Sequence, residues 1–392
     1  MRRILAAALG LAAVAAPAAA ADFLSSETLE VAKVAGPLAA DPGASFWDAA
    51  PVATVPAAPQ HTIRLNDREA NQALEKATRR TVRVRAATDG KDLAVLLEWA
   101  DPTESRATPD GVDAYGDAAA LQFPRRFGAG TRLPYVGMGD DSQEVILYLQ
   151  RAGADGPVAR QAIAHGFGTS ARADLGGVKV GMLHDGVRKA WRAVFLRPVS
   201  TTGHDLGRAL VPFSVAVWDG AGKERGGNKA LAGWKFLRMP GTAPDPTYQA
   251  ELAWGHRPGD LGDPRKGREL FEGMCTACHS VGAEKAVPGL APDLTGIGVV
   301  ASPGYLRDSI VAPSTVIVPN PNVAQRQDRS AKPDANGAWP ADEAYVWYTR
   351  GADGKKASTM PDYASMEPAD LGAIVAYLAT LGREERPEEK KP

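Results

Sequence analysis

The sequence predicts two domains of different fold class, an all-β sandwich followed by an all-α domain. Between Val82 and Leu237 the apolar residues form short alternating runs separated by Gly, Pro and Asp, which is the pattern of many short strands. After Asp263 the apolar residues repeat at helical spacing instead. The stretch 241–263 is rich in Pro and Gly, as linkers at domain boundaries often are.

The domain limits follow from these changes along the chain. Residues 1–21 contain two Arg, an Ala- and Leu-rich run and a small-residue end, which together indicate a secretory signal that is cleaved. An uncleaved membrane anchor is the alternative. We expect residues 22–258 to form the β-sandwich, residues 259–385 the helical domain and residues 386–392 a disordered tail. Signal cleavage would leave a periplasmic protein without a membrane span.

The individual elements can be predicted in chain order. The first hairpin joins a strand at 82–85 to one at 93–99 through the turn residues Asp89 and Gly90. Asp263 is a suitable cap for a helix that begins at Pro264, and a last helix is expected after Pro368. Further strands are predicted at 143–149, 190–196, 211–218 and 231–237.

Charge and cysteine content narrow the classes of function. The 45 basic and 46 acidic residues give a formal net charge of -1, so the chain has no overall field that would attract nucleic acid or an anionic membrane. It has two Cys, which leaves none for an additional structural disulfide or an iron–sulfur cluster. We therefore expect a protein partner.

The two cysteines stand in a C-x-x-C-H motif formed by Cys275, Cys278 and His279. Two thiols at this spacing can each add to a vinyl group of one haem, and the next His then faces the iron. A zinc half-site or a redox dithiol would need further Cys or clustered His downstream, and the sequence after His279 has neither. The motif predicts one covalently attached haem c.

The C-terminal region resembles the class I cytochromes c, in which two helices bracket the haem. Gly267 and Phe271 on the first helix and Tyr377 on the last match the family positions at which these helices cross. The resemblance implies that Met360, which is followed by Pro, is the second ligand of the haem c iron. Met366 is the competing candidate. It also implies that the carbonyl of Pro292 accepts a hydrogen bond from the ring of His279.

The N-terminal region contains three shorter motifs that bear on its function. They are Gly-Met-Gly at 137–139, Trp-Arg-Ala-Val-Phe at 191–195, and Trp-Asp-Gly at 218–220 followed by Glu-Arg at 224–225. Together they resemble the haem b subunit of ethylbenzene dehydrogenase and the related gamma subunits of dimethyl sulfoxide reductase family enzymes. In that family a β-sandwich holds one non-covalent haem b between a Met and a Lys.

The resemblance places the two haem b ligands on Met138 and Lys229. A lysine binds iron as the neutral amine, which requires a pocket that depresses its pKa. The sequence departs from the family after the Gly-Met-Gly motif, where 142–147 replace the usual strand. His165 and His184 are alternative ligands.

The leading hypothesis is a periplasmic dihaem electron-transfer protein that does no catalysis itself. The resemblance implies that its partners are the catalytic and iron–sulfur subunits of a molybdenum oxidoreductase, or a soluble redox protein. One alternative is a monohaem cytochrome c fused to a haem-free, ligand-binding β-sandwich. Another is an enzyme that acts on a small substrate at a five-coordinate haem, and this function would require an open iron site.

Overall fold

The computed structural model describes residues 27–62, 68–108, 115–254, 259–283, 286, 290–318 and 347–383. The predicted signal peptide and tail lie outside these ranges. Residues 255–258, which adjoin the predicted domain limit, also lie outside them. No helix in the described part of the chain combines the length and the apolar character that a bilayer crossing needs.

The order of the elements follows the predicted fold class, with strands first and helices afterwards. The strands are β1 (Thr28–Glu30), β2 (Ala32–Lys33), β3 (Ala53–Pro59), β4 (Arg80–Thr88), β5 (Asp92–Ala100), β6 (Ala118–Pro124), β7 (Val145–Gly153), β8 (Gly156–Ala164), β9 (Ala171–Arg172), β10 (Lys179–Asp185), β11 (Ala190–Pro198), β12 (Ser200–Thr201), β13 (His204–Asp205), β14 (Leu210–Trp218), β15 (Ala230–Ala232), β16 (Lys235–Arg238), β17 (Tyr348–Arg350) and β18 (Lys356–Ser358). The α-helices are α1 (Arg68–Lys76), α2 (Pro246–Leu252), α3 (Pro264–Met274), α4 (Ile297–Val300), α5 (Pro303–Val311) and α6 (Pro368–Thr380).

One continuous, mainly antiparallel sheet forms the N-terminal domain. Its principal path runs β10-β11-β5-β4-β3-β15-β14-β6-β7-β8-β9. The sheet folds over so that β7 faces β11, and Nε2 of Gln150 donates to the carbonyl of Val194 at 2.9 Å. Alternate residues of the facing strands form the main core, which includes Trp99, Phe123 and Phe213. The predicted all-β domain followed by helices is confirmed, with one folded sheet providing both layers.

The outward face of β6 and β14 is also buried, because the C-terminal domain packs on it. All residues of both strands are buried. One hydrophobic cluster combines Ala120 and Trp218 of the sheet with Val299 of α4 and Ile374 of α6. The two domains therefore share an extensive apolar interface.

The same close packing interrupts a predicted strand. The stretch 231–237 forms two separate strands, β15 and β16, on either side of Gly233. A side-chain carbon at Gly233 would lie 2.8 Å from the carbonyl oxygen of Val299 in α4. The sequence pattern of a single strand carries no information about the close approach of this helix, so the interruption could not be predicted from it.

In the C-terminal domain the first and last long helices cross at a glycine. The side chain of Asp263 caps α3 by accepting from the backbone N–H of Arg265 at 2.9 Å, as predicted. A side-chain carbon at Gly267 would lie 1.9 Å from the carbonyl oxygen of Ala373 in α6. Beside this crossing, the rings of Phe271 and Tyr377 have centroids 5.5 Å apart.

The crossing gives a stability prediction for Gly267→Ala. The added methyl group would push α3 away from α6, and overpacking of this kind costs about 1–3 kcal/mol. We expect a lower melting temperature of the C-terminal domain, measured by circular dichroism and by the haem absorbance.

The matched control is Gly273→Ala on the same helix, where a side-chain carbon meets nothing within 4 Å. Replacing Gly by Ala inside an exposed helix stabilises it by roughly 0.5–1 kcal/mol, so this variant should melt no lower than the parent. Equal melting temperatures for the two variants would contradict the close helix crossing.

Candidate functional site

The C-x-x-C-H motif follows the end of α3 and opens onto an apolar cavity. Cys275 caps the helix, and its carbonyl accepts from the backbone N–H groups of Cys278 and His279 at 3.1 and 2.9 Å. This turn places both thiols and the imidazole at the rim of a cavity of about 310 Å³. Burial, and next the neighbouring Cys278, raise the pKa of the Cys275 thiol to about 11.

The imidazole of His279 is oriented as an iron ligand would be. Its Nδ1 atom lies 2.9 Å from the carbonyl oxygen of Pro292, and a carbonyl can only accept. Nδ1 therefore carries the proton, which leaves Nε2 with a free lone pair for a metal. Burial lowers the pKa of His279, and this favours the neutral form that binds metal. The contact with Pro292 is the one that the cytochrome c resemblance implies.

The structure distinguishes the two candidate methionines. Met360 lines the cavity together with His279, whereas Met366 does not belong to its lining. Met366 lies just before α6, and its backbone N–H bonds to the carbonyl of Tyr363. Met360 as the second ligand remains a prediction, and its position in the cavity supports it.

The walls of the cavity suit a flat apolar macrocycle. Aliphatic and aromatic side chains from α3, α4, α5 and α6 dominate the lining, and the two thiols stand at its edge. The apolar members that these helices contribute are Phe271, Met274, Ile297, Leu306, Ile310, Ile374 and Leu378. The donor set of one imidazole and one thioether is the set that six-coordinate haem c takes. The residues therefore fit a covalently bound haem.

Part of the cavity wall comes from the N-terminal domain, which the sequence does not predict. Thr62, Tyr135 and Phe167 line the same cavity as Cys275 and His279. The hydroxyl oxygens of Thr62 and Tyr135 are 3.2 Å apart, so one donates to the other. Tyr135 stands just before the Gly-Met-Gly motif, but no sequence signal links Phe167 to the C-terminal domain.

The Gly-Met-Gly motif forms a tight loop with an unusual backbone. Met138 has a φ of 78°, a region that non-glycine residues rarely adopt and that costs on the order of 1–3 kcal/mol. The loop is closed by hydrogen bonds from the N–H of Gly139 to the carbonyl of Tyr135, and from the N–H of Gly166 to the carbonyl of Met138, each at 2.8 Å. Strain of this size persists where the surroundings impose it.

Asp140 imposes the loop conformation, although no motif in the sequence singles it out. Its carboxylate is fully buried, and its oxygens accept from both terminal nitrogens of Arg132 at 2.9 and 3.0 Å. It also accepts from the backbone N–H of Tyr135 at 2.9 Å and from Ser142. A charge-assisted, two-pronged bond of this kind is strong and geometrically specific. The sequence feature that points to Asp140 is its position two residues after Met138.

Lys229 is buried, as a lysine that binds metal must be. Its side chain is 5% exposed, and its Nζ atom lies 3.4 Å from the carbonyl of Gly226 and 5.6 Å from the centre of the Trp218 ring. Burial lowers the pKa of Lys229 to about 8. Among the described residues, no carboxylate forms an ion pair with it. The amine is thus available in its neutral form at modest cost.

Met138 and Lys229 stand at opposite ends of one face of the sheet. Trp218, beneath the Lys229 amine, pairs with Ala118 of β6, and Ala120 two residues further on pairs with Ala216. At the other end Gln122 donates to the carbonyl of Val136, two residues before Met138. Four residues of strand span about 13 Å.

The middle of this face has small side chains, which lie buried beneath the C-terminal domain. They are Ala118, Ala120 and Ala216, which pair across β6 and β14 or lie one pair apart. On the neighbouring strand β7, which departs from the family sequence, Leu147 and Leu149 pair with Gln122 and Ala120 and keep the face apolar. A thioether and a buried amine at the two ends of an apolar face are donors that a haem iron can take.

The two histidine alternatives differ in position. His184 is occupied elsewhere, because its Nε2 atom bonds to the carbonyl of Asp101 at 3.0 Å and its ring packs against Trp191. His165 lies beside the Met138 loop, and its backbone would meet a side chain at Gly139. His165 therefore remains the nearer alternative.

Comparison with known proteins identifies the family. Residues 44–185 match the family model described as ethylbenzene dehydrogenase, and residues 264–382 match the cytochrome c model. The chlorate reductase subunit gamma of Ideonella dechloratans is 31% identical over 219 residues, which cover 54% of this chain and 84% of that relative. The chain belongs to the ethylbenzene dehydrogenase family. It combines a gamma-type haem subunit of that family with a cytochrome c domain.

Other relatives agree with this assignment. A haem subunit of a respiratory nitrate reductase from Haloferax mediterranei is 27% identical over 217 residues, covering 54% of this chain and 72% of the relative. The chain is therefore an electron-transfer subunit and not a catalytic one.

A family 9 carbohydrate-binding module from Caldicellulosiruptor kristjanssonii aligns over 56% of this chain and 98% of its own, at 9% identity and a TM-score of 0.32, which carries no functional information.

The ligand assignment at haem c gives a prediction for Met360→Ala. The covalent haem should remain, because the thioether bonds are made by the cysteines. Loss of the thioether ligand should lower the reduction potential and let carbon monoxide bind to the reduced protein. Spectroelectrochemistry and carbon monoxide difference spectra measure both effects.

Met366→Ala is the matched control, since the same side chain is removed outside the cavity lining. It should leave the potential and the carbon monoxide response close to those of the parent. If Met366→Ala produces these changes and Met360→Ala does not, the ligand is Met366.

Proposed function

We propose that the chain is a periplasmic dihaem electron-transfer subunit. One haem c would be held by Cys275, Cys278, His279 and Met360, and one haem b by Met138 and Lys229. When bound, each haem supplies one-electron chemistry between the ferrous and ferric states of iron. The observation that carries the dihaem proposal is the amine of Lys229, which is buried without a carboxylate partner among the described residues and lies on the same face of the sheet as the Met138 loop.

The residues of the chain have separate tasks at the two sites. His279, held by the carbonyl of Pro292, would present Nε2 to the haem c iron, and the apolar walls of the cavity would exclude water. Asp140 holds the strained loop so that Met138 is presented without further rearrangement. Burial keeps the Lys229 amine able to shed its proton. With two protein ligands at each iron, neither site would leave a position for substrate.

The proposed partner is a molybdenum oxidoreductase with a catalytic and an iron–sulfur subunit. The relatives named for chlorate and nitrate reductases support a reductase partner. A soluble redox protein would be the second partner, which exchanges electrons with the chain at the other end of its electron-transfer path. Periplasmic location is supported by the signal-like residues 1–21 and by the covalent mode of haem attachment.

The number of haems is tested by a pyridine haemochrome spectrum of the purified full-length protein. We expect b-type and c-type bands in equal amounts. A c-type band alone would reject the dihaem proposal and leave a cytochrome c fused to a sandwich without haem.

The haem b ligand is tested by Lys229→Ala. Loss of the amine should abolish or strongly weaken retention of haem b while haem c stays intact, as measured by the ratio of the two haemochrome bands. Lys223→Ala is the matched control, because Lys223 is exposed in the same loop. Retention of haem b with an unchanged spectrum in Lys229→Ala would assign the ligand to another residue.

A further inference from the structure

The haem c cavity is closed by aromatic side chains from both domains. Tyr135 and Phe167 of the N-terminal domain and Tyr305 of α5 line it together. The ring of Tyr135 lies 5.9 Å from the ring of Phe167 and 5.9 Å from that of Tyr305. Tyr135 is 7% exposed and Phe167 4%. The N-terminal domain is thus part of the haem c pocket.

The same two rings also contact the proposed haem b ligand. Met138 packs against the small cluster formed by Tyr135 and Phe167. Met138 follows Tyr135 by three residues in one closed loop. A single layer of side chains therefore separates the haem c cavity from Met138.

The loop is fastened to the C-terminal domain at the edge of this layer. The backbone N–H of Asp141 donates to the carbonyl of Ile317 at 2.7 Å, and Ile317 lines the cavity. The carboxylate of Asp141 accepts from Nζ of Lys356 at 2.6 Å. These two contacts fix the distance between the Met138 loop and the cavity, which a loose association of domains would leave variable.

We propose that Tyr135 and Phe167 form a wall shared by the two haem sites, and that an electron crosses between the haems of one chain through this wall. The inference rests on the proposed function, because it requires a haem at Met138. One iron goes from ferrous to ferric as the other goes from ferric to ferrous, so one electron moves, no bond is made or broken and no proton is transferred. Tunnelling rates fall steeply with distance, and a single packed layer keeps the distance short.

Tyr135 and Phe167 act in this route as positioning residues that keep the layer dense and dry. The hydroxyl of Tyr135 is paired with that of Thr62 and only orients the ring. The ring itself fills the space between the sites. Tyr135→Leu and Phe167→Leu should therefore admit space or water into the layer.

The test is pulse radiolysis of the full-length dihaem protein, in which a small fraction of the haem is reduced and the b-type and c-type bands are followed in time. We expect the two bands to equilibrate at a rate that does not depend on protein concentration. Tyr135→Leu and Phe167→Leu should lose this fast phase or slow it, with two haems still bound and both potentials close to those of the parent. Two variants are used so that misfolding of one leaves the other as a test.

Tyr248→Leu is the matched control. It removes a buried ring of the same domain that lies in the main sandwich core and lines neither haem site. Its equilibration rate should equal that of the parent.

The possible outcomes distinguish a failure of the proposed electron route through the wall from a failure of the proposed dihaem function. A protein with haem c alone overturns the dihaem function and the route with it. A protein with two haems whose equilibration rate rises with protein concentration, or is unchanged in both Leu variants, overturns the route and leaves the dihaem function standing.

Discussion

The structure depends on the burial of one strand pair on both of its faces. The inner face of β6 and β14 packs into the sandwich core, and the outer face packs against the C-terminal domain. At roughly 25 cal/mol for each Å² of apolar surface removed from water, such an interface holds two domains in a defined arrangement without covalent links. The alanines of the outer face and the helices opposite them then share one interior.

The fold class and the haem c motif could be predicted because their signals are local. Alternation identifies β4, β5, β11 and β14, and a capping Asp followed by Pro identifies the start of α3. The C-x-x-C-H spacing directly identifies the two thiols that attach the haem and the His that binds its iron. Gly267 was predicted from the resemblance, and its close approach to Ala373 shows the physical reason that the position needs glycine.

The parts that could not be predicted are contacts between residues far apart in the chain. Phe167 and Thr62 have no local signal for lining a cavity whose other walls begin only at Phe271, far along the chain from both. The interruption at Gly233 arises from a helix of the other domain. Asp140 is an intermediate case, because its place in the sequence is visible but its role is not. An acidic residue beside a Gly-rich loop is common, and only its complete burial against Arg132 shows that it shapes the loop.

The composite wall of the haem c cavity has a consequence for biogenesis. Thioether formation needs the two cysteines and the porphyrin to meet before the pocket is shut, yet Tyr135 and Phe167 belong to the domain that is synthesised first. We therefore expect the sandwich to dock onto the C-terminal domain after the haem is attached. The tertiary arrangement thus predicts an order of maturation in which the N-terminal domain, although it is synthesised first, closes the haem c cavity last.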